Sequence, residues 1–416
     1  MNWNTLLEKH SDISLYIHIP FCAAICHYCD FAKTANWDEA VVARYFEKLR
    51  RDLSLWTQYL RSEEMKLSTV FFGGGTPGLF TRQYEGLFEE FLPFLQDGAE
   101  VSMEANPDNV SKDALFYWKD LGVTRLSIGV QSFDEKILNF LVRDHSAADS
   151  VRALELAMTE IENVNLDLIY GIPGQSIGSF ENDLCVTENL QIPHVSLYNL
   201  TFESGTPLGR AYHRGRIDPE RIEHEGKFYD LARKHLRERG LDHEEVSNWS
   251  LPRFSCRHNW VYWQTKPYIA IGAGAHGFLK SSPSFKDIGV RYAFPRSDRV
   301  YAKTGECPEL GRPGCEKVSF QKILTAQGAQ IETRDEQSLL YEVVASSLRT
   351  KKGVPVAKLC RDLSLKFVPN DVLKSLESDG KLTIGDQAVF DPKSWFFENQ
   401  YALAVIDSFH QGDWYQ

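Results

Sequence analysis

The chain has 416 residues, a formal net charge of −11, 43% hydrophobic and 25% charged content, the profile of a water-soluble globular protein of about two domains. An acidic balance with no basic run or Arg/aromatic patch excludes nucleic acid as a general partner. No stretch of about 18 apolar residues occurs, and Met1–Asp12 is too charged for a secretory leader, so a cytoplasmic protein that does not span a membrane is expected.

In chain order, the runs Leu15–Ile19, Thr69–Phe72, Glu100–Ala105, Arg125–Val130, Asn165–Tyr170 and His194–Leu200 read as strands. Between them Asp38–Leu60, Thr81–Leu95, Ser111–Leu121 and Ser146–Glu160 have the spacing of amphipathic helices. Repeated βα units imply parallel strands joined by right-handed crossovers, so residues 1–280 are expected to form an α/β, partial (β/α)6 barrel. Pro219–Arg239, dense in Glu, Arg and His, reads as a solvated helical face. The proline-rich stretch 281–334 reads as a linker. Residues 335–416 read as a small winged-helix-like domain: helices at Glu336–Leu348, Val356–Asp362 and Asn370–Asp379, then a hairpin from Lys381–Ile384 and Ala388–Phe390. Two lysines at the break before its second helix are too few to neutralise a phosphate backbone, so this domain is expected to act as a cap or docking module.

The chemistry concentrates at predicted strand ends, where the loops of such a barrel converge on one mouth. Cys22, Cys26 and Cys29 follow the first strand with Cx3Cx2C spacing. A [4Fe-4S] cube held by three thiolates keeps one iron open to a small-molecule ligand. A zinc site completed by His27 is the competing reading, and metal ligation in either form suits a reducing compartment. Cys185, Cys256, Cys307, Cys315 and Cys360 are scattered and read as small buried hydrophobes or free thiols. Gly73-Gly74-Gly75-Thr76-Pro77 follows the second strand and lets backbone approach a ligand closely. Glu104 ends the third strand, Gln131 follows the fourth and Asp167 lies in the fifth. The carboxylates can bind hydroxyls or an ammonium group, or serve as caps and ion-pair partners. Arg143 offers a fork of donors for a carboxylate, or a surface ion pair.

The cysteine spacing resembles the signature of the radical S-adenosylmethionine (SAM) superfamily, and the resemblance runs from about Leu15 to Ile271. Taken with Tyr16-Ile17-His18-Ile19-Pro20-Phe21-Cys22, Glu104-Ala105-Asn106-Pro107, Gly129-Val130-Gln131-Ser132, Asp167-Leu168-Ile169-Tyr170-Gly171-Ile172-Pro173-Gly174 and Gly272-Ala273-Gly274-Ala275-His276-Gly277, it resembles the branch that holds oxygen-independent coproporphyrinogen III dehydrogenases and HemW-type haem chaperones. That resemblance implies a radical SAM barrel with a [4Fe-4S] cluster on Cys22, Cys26 and Cys29. It implies SAM contacts at Tyr16, Tyr28, Gly74, Gly75, Thr76, Glu104, Gln131, Arg143 and Asp167.

Two features separate the relatives within the branch. The dehydrogenases carry a further cysteine two positions after the third ligand, where this chain has Phe31. His258-Asn259-Trp260-Val261-Tyr262-Trp263 resembles the HNxxYW motif of the chaperones. The chaperone resemblance implies haem as ligand and cargo, a haem-acceptor protein, with membrane proteins among the candidates, and an electron donor for the cluster. His258, Asn259, Tyr262 and Trp263 are the candidate haem residues, with Cys256 as rival to His258 for the iron. The same aromatic stretch can instead seal the barrel, with His258 donating to a backbone carbonyl.

Overall fold

The computed structural model describes residues 12–217, 225–280, 289–301, 320–363, 365–392, 395 and 399–411. Met1–Ser11, Cys307, Cys315 and much of the expected linker lie outside these residues. The strands are β1 (Asp12–Ile19), β2 (Lys66–Gly74), β3 (Leu95–Ala105), β4 (Arg125–Gln131), β5 (Asn163–Tyr170), β6 (His194–Asn199), β7 (Asp242–Glu245), β8 (Asn248–Ser250), β9 (Tyr268–Ile271), β10 (His276–Lys280), β11 (Gly289–Ala293) and β12 (Gln330–Arg334). They form one sheet in the order β12-β11-β10-β9-β1-β2-β3-β4-β5-β6-β8-β7. From β9 through β1 to β6 the pairings are parallel, and those beyond either end are antiparallel. The six expected strands and three of the four expected helices are present, while within Thr81–Leu95 the α-helix is confined to Glu85–Phe91 between 3-10 turns and Leu95 begins β3; this is the open parallel α/β barrel anticipated from the sequence.

Period-two alternation decides what each strand face does. Ile13, Leu15, Ile17 and Ile19 on β1, Val70 and Phe72 on β2, and Val101 and Met103 on β3 are buried in the apolar layer shared with the helices. Leu126 and Ile128 on β4, Leu166 and Leu168 on β5, and Val195 and Leu197 on β6 belong to the same layer. The alternate positions (Ser14, Tyr16 and His18; Glu100, Ser102 and Glu104; Arg125 and Ser127; Asn165 and Asp167; Ser196 and Tyr198) supply the polar groups of the other face. One face therefore makes the core, and the other is left for chemistry.

The stretch expected as a linker contributes more than a connection. β11 pairs with β10 and β12 with β11, extending the sheet. The sequence Gln330-Ile331-Glu332-Thr333-Arg334 concealed β12 because this edge strand is mostly exposed and carries no apolar alternation. Tyr301, from the same stretch, is fully buried against the helix Glu39–Ser62 and donates to Asp52.

The C-terminal part follows the expected order, with helices Glu336–Ser347, Val356–Leu363 and Asp371–Ser378 and a hairpin pairing Leu382–Ile384 with Ala388–Phe390. A further helix, Asn399–Ile406, and a two-stranded ladder of Leu365–Phe367 with Phe409–Gln411 complete it. It has its own apolar cluster, including Val344, Leu359, Leu373, Phe390 and Trp395. Among the described residues no helix is long and apolar enough to cross a membrane.

The helix Arg257–Trp263 ends in a Schellman-type turn, with Lys266 N–H donating to Val261 O at 2.9 Å and Thr265 N–H to Tyr262 O at 3.0 Å. The left-handed position is normally glycine, yet Thr265 occupies it at φ 48° and buries a hydroxyl that has no partner. Thr265→Gly is expected to raise stability by about 1 kcal/mol through relief of the Cβ strain, read as a higher denaturant midpoint. A lower midpoint would show that the buried methyl outweighs the strain.

Candidate functional site

The loop after β1 is a folded unit rather than a loose excursion. Cys22 N–H donates to Thr34 O at 3.0 Å and Thr34 N–H to Pro20 O at 2.7 Å, while Trp37 Nε1 donates to Cys22 O at 2.8 Å. Cys22, Cys26 and Cys29 are free thiols, Cys22 buried and the others half-buried. Burial pushes the Cys22 thiol up to about 11 and also raises that of Cys29. A bound cation would reverse that preference. Among the described residues no three His, Cys, Asp or Glu side chains converge at metal-ligating distance, which holds for the three thiols and for their zinc alternative with His27.

The glycine run explains why the loop can lie where it does. A Cβ on Gly75 would stand 2.7 Å from Phe21 O, 2.8 Å from the Pro20 carbonyl carbon and 2.9 Å from Cys22 Sγ. Gly75 N–H donates to Ile19 O and Thr76 N–H to Phe21 O, each at 2.8 Å. Gly74, at φ 125°, gives its N–H to Glu104 Oε2 at 2.9 Å. The run thus docks the cysteine loop and orients Glu104.

Arg143 reaches the same place from the segment after β4. It donates to Cys26 Sγ at 3.3 Å and to Asn106 Oδ1 and Gly129 O at 2.7 Å each, while its Nε–H is buried without a partner. The surface ion pair that its sequence context also allowed is therefore not its role. Tyr28 lies beside it, its hydroxyl pushed well up by burial and opposed by the Arg143 charge. Gln131 has φ 75°, a left-handed conformation unusual for a residue with a side chain, at a register shift between Gly129 and Gln131.

Glu104 and Asp167 share the interior with Tyr16 and Tyr198. Burial, and next the Asp167 charge, raise Glu104 to about 8. Asp167 is raised by burial although it accepts from Ser127 Oγ at 3.0 Å and Asn165 Nδ2 at 2.7 Å. Tyr198 was not anticipated. It is 43% exposed and lies on the face of β6 that carries Ser196, the register partner of Asp167, and burial, and next the Asp167 charge, push its hydroxyl well up. Its alternation with Leu197 on β6 was the signal available.

An acid whose proton is retained to a higher pH in the folded chain has a definite signature. Glu104 loses its proton near 4.5 when unfolded and near 8 when folded. Its contribution to stability is thus fully present below about 4.5 and is lost as pH rises through about 8. Glu104→Gln should remove this part of the decline, measured as denaturant midpoints between about pH 5 and about pH 9. Asp183 and Glu245, each raised to about 7 by burial, retain theirs. An unchanged slope in Glu104→Gln would contradict the assignment.

His18 is a buttress. Ala32 O can only accept, so His18 Nε2–H donates to it at 2.7 Å and Nδ1 accepts from Tyr16 OH at 3.0 Å. Burial lowers its pKa to about 4, keeping the ring neutral.

The HNxxYW segment lies at the other end of the strands. It forms the helix Arg257–Trp263, whose first N–H groups are capped by Glu100: Arg257 N–H at 3.1 Å and His258 N–H at 3.2 Å. His258 is fully buried. Thr69 gives its proton to Ser14 Oγ at 2.8 Å and so accepts from His258 Nδ1–H at 2.6 Å, which leaves Nε2 to accept from Tyr262 OH at 2.8 Å. Burial lowers its pKa to about 3.

The lone pair that would ligate iron thus accepts from Tyr262 OH, and the ring does not donate to a backbone carbonyl. Cys256 is equally sealed, its thiol pushed up to about 12 by burial and 3.7 Å from Glu100 Oε1. The aromatic stretch closes the barrel floor. Asn259 and Trp263 are half-buried, and Trp263 Nε1 has no partner. The Tyr262 ring lies 5.1 Å from that of His258, which in turn lies 6.4 Å from that of Tyr16, a chain of rings leading from the floor toward the interior.

Residues 16–184 match the profile of the Radical SAM superfamily. The heme chaperone HemW of Lactococcus lactis is 32% identical over 395 residues, covering 88% of this chain and 100% of that protein. HemW of Escherichia coli is 37% identical over 280 residues, covering 65% and 71%. A bovine protein named radical S-adenosyl methionine domain-containing protein 1, mitochondrial, is 37% identical over 352 residues, covering 82% and 74%. The solved structure of coproporphyrinogen III oxidase (HemN) from Escherichia coli, a radical SAM enzyme, superposes with a TM-score of 0.73 at 17% identity, covering 96% of this chain and 92% of that one, a likeness of fold. A chain that spans a HemW protein from end to end and carries its cysteine loop on a parallel α/β barrel belongs to the HemW family of the radical SAM superfamily.

Proposed function

We propose that this protein is a haem chaperone of a reducing compartment such as the cytoplasm: it binds haem, one [4Fe-4S] cluster and SAM, and passes haem to an acceptor protein. The full-length match to a protein named as a heme chaperone carries this reading. Cys22, Cys26 and Cys29 would hold the cluster. Their free thiols and the side-chain-free cradle at Gly75 suit such a group. When bound, the cluster supplies an open iron for the amino and carboxylate groups of SAM and, once reduced by a donor, an electron.

The chain's own residues orient and screen that site. Arg143 places a fixed positive charge against Cys26 Sγ, suited to balancing thiolate charge and holding a ligand carboxylate. Glu104 and Asp167 offer acceptors for ribose hydroxyls or an ammonium group. Tyr16, Tyr28, Gly74, Gly75, Thr76 and Gln131 line the approach. Haem would be held at the HNxxYW segment, with Asn259 and Trp263 uncommitted and with His258 and Tyr262 keeping the helix in place through their mutual bond. We place the coupling between cluster and haem in the ring contacts that lead from Tyr262 through His258 to Tyr16.

The test is an absorption titration of the anaerobically reconstituted protein with haem, repeated on Cys22→Ala/Cys26→Ala/Cys29→Ala. A stable haem complex whose release rate depends on the cluster is expected. No haem complex would end the reading, and unchanged release in the triple variant would end the coupling. The second reading is a coproporphyrinogen dehydrogenase, which the fold shared with HemN favours. Decarboxylated porphyrin product in the presence of reduced cluster and SAM would select it.

A further inference from the structure

Between the floor helix and the starts of β1 and β2 lies a cleft of about 250 Å³, lined among others by Ser14, Thr69, Arg257, Trp260, Lys266 and Lys352. Three of these side chains are cationic in a chain of net charge −11. Their situation differs from that of Lys351, which pairs with Glu244 at 2.9 Å and Asp242 at 3.5 Å. Arg257 Nη1 donates to Gly98 O at 2.6 Å. Among the described residues Lys266 and Lys352 form no ion pair. Lys352 instead lies over the Trp260 ring, 4.4 Å from its centroid. Desolvation, and next the Lys266 charge, hold Lys352 below the ordinary lysine range, so the two ammonium groups work against each other across the cleft. Asp12 is the one carboxylate in the lining.

The indole is fixed as well as exposed to the cleft. Trp260 Nε1–H is shared between Ser255 Oγ at 2.8 Å and Glu244 Oε2 at 3.1 Å. Lys352 is delivered by the C-terminal domain, which is bonded to the barrel beside it through Lys351 N–H to Glu244 O at 3.1 Å and Val246 N–H to Arg349 O at 2.9 Å. Two unpaired ammonium groups and a guanidinium around a rigid aromatic plane complement a flat apolar body that carries two carboxylates on one edge.

We propose that this cleft binds the carboxylate edge of a porphyrin, with Lys266, Lys352 and Arg257 pairing the carboxylates and Trp260 packing against the ring. The inference rests on the haem-binding reading and moves the contact from His258, whose ring nitrogens are committed, to the Trp260 side of the same helix. The cavity lies below the range of about 300–1,000 Å³ that encloses a drug-sized ligand, so it admits an edge and leaves the metal face of the macrocycle free for transfer. The C-terminal domain then completes the site as well as capping the barrel.

The experiment titrates the full-length, anaerobically reconstituted protein and Lys266→Gln/Lys352→Gln with haem, metal-free protoporphyrin IX and its dimethyl ester. Both lysines are exposed, so the variant should keep its circular dichroism and cluster content. The native protein is expected to bind haem and the metal-free diacid with similar affinity. The double variant should bind both about tenfold more weakly, and the ester should bind native and variant protein equally weakly. Native haem affinity in the variant, or equal affinity of native protein for ester and diacid, would overturn the cleft assignment while leaving haem binding intact. Failure of the native protein to bind haem would remove both readings.

Discussion

Replacing Cys26 by alanine is expected to reduce the iron and acid-labile sulfide of the anaerobically reconstituted protein to background. A cube held at three corners has no spare protein ligand, so two remaining thiols would leave two irons without one. The same substitution strands Arg143, whose guanidinium donates to Cys26 Sγ at 3.3 Å and which already has one N–H without a partner. Gly75→Ala tests the geometry independently of the ligands, because the new methyl would press on the Phe21 and Pro20 backbone as well as on Cys22 Sγ. It should lower cluster content while leaving all three cysteines in place. Native iron and sulfide content in Cys26→Ala would refute the three-cysteine assignment.

The largest expected loss of stability is at Asp52. Lys48 and Asp52 are buried on one face of the helix Glu39–Ser62 and pair at 2.5 Å, with Tyr301 OH donating to the other carboxylate oxygen. Lys48 also lies 4.8 Å from the Tyr301 ring centroid. Desolvation raises Asp52 and lowers Lys48 in pKa, so the pair's attraction does not fully offset the burial of its charges. Asp52→Ala leaves an ammonium group buried without its partner, at a cost of about 3–5 kcal/mol. A denaturant titration should show a correspondingly lower midpoint. Lys48→Met/Asp52→Leu should recover most of the loss, because two apolar side chains leave no charge to solvate. A single variant as stable as the native chain would show that water reaches this site.

The two ends of the barrel are chemically distinct. At the C-terminal strand ends, glycine backbone, three thiols and Arg143 build an open mouth. At the opposite end a relay runs from Tyr262 OH through His258, Thr69 and Ser14 to Ser68, with the last link at 3.2 Å. His258, Thr69, Ser14 and Ser68 each both donate and accept along it, so both ring nitrogens of His258 are engaged within the floor.

Local sequence alone determined the parallel strands, the helices between them and the position of the cysteine loop at a strand end. Period-two and helical spacing, with glycine at the close approach of Gly75 to Phe21, are properties of neighbouring residues. Tertiary structure decided what depends on partners distant in the chain. Asp52 reads as one more charge on an amphipathic helix until Tyr301 closes over it. The edge strand β12 is invisible in its own polar composition and exists because β11 offers it hydrogen bonds. His258 reads as an available imidazole, yet Thr69 and Tyr262 bind both ring nitrogens. A motif specifies which donors and acceptors are present; whether each remains free is set by the hydrogen bonds of the folded chain, since burial compels polar groups to find partners wherever the fold supplies them.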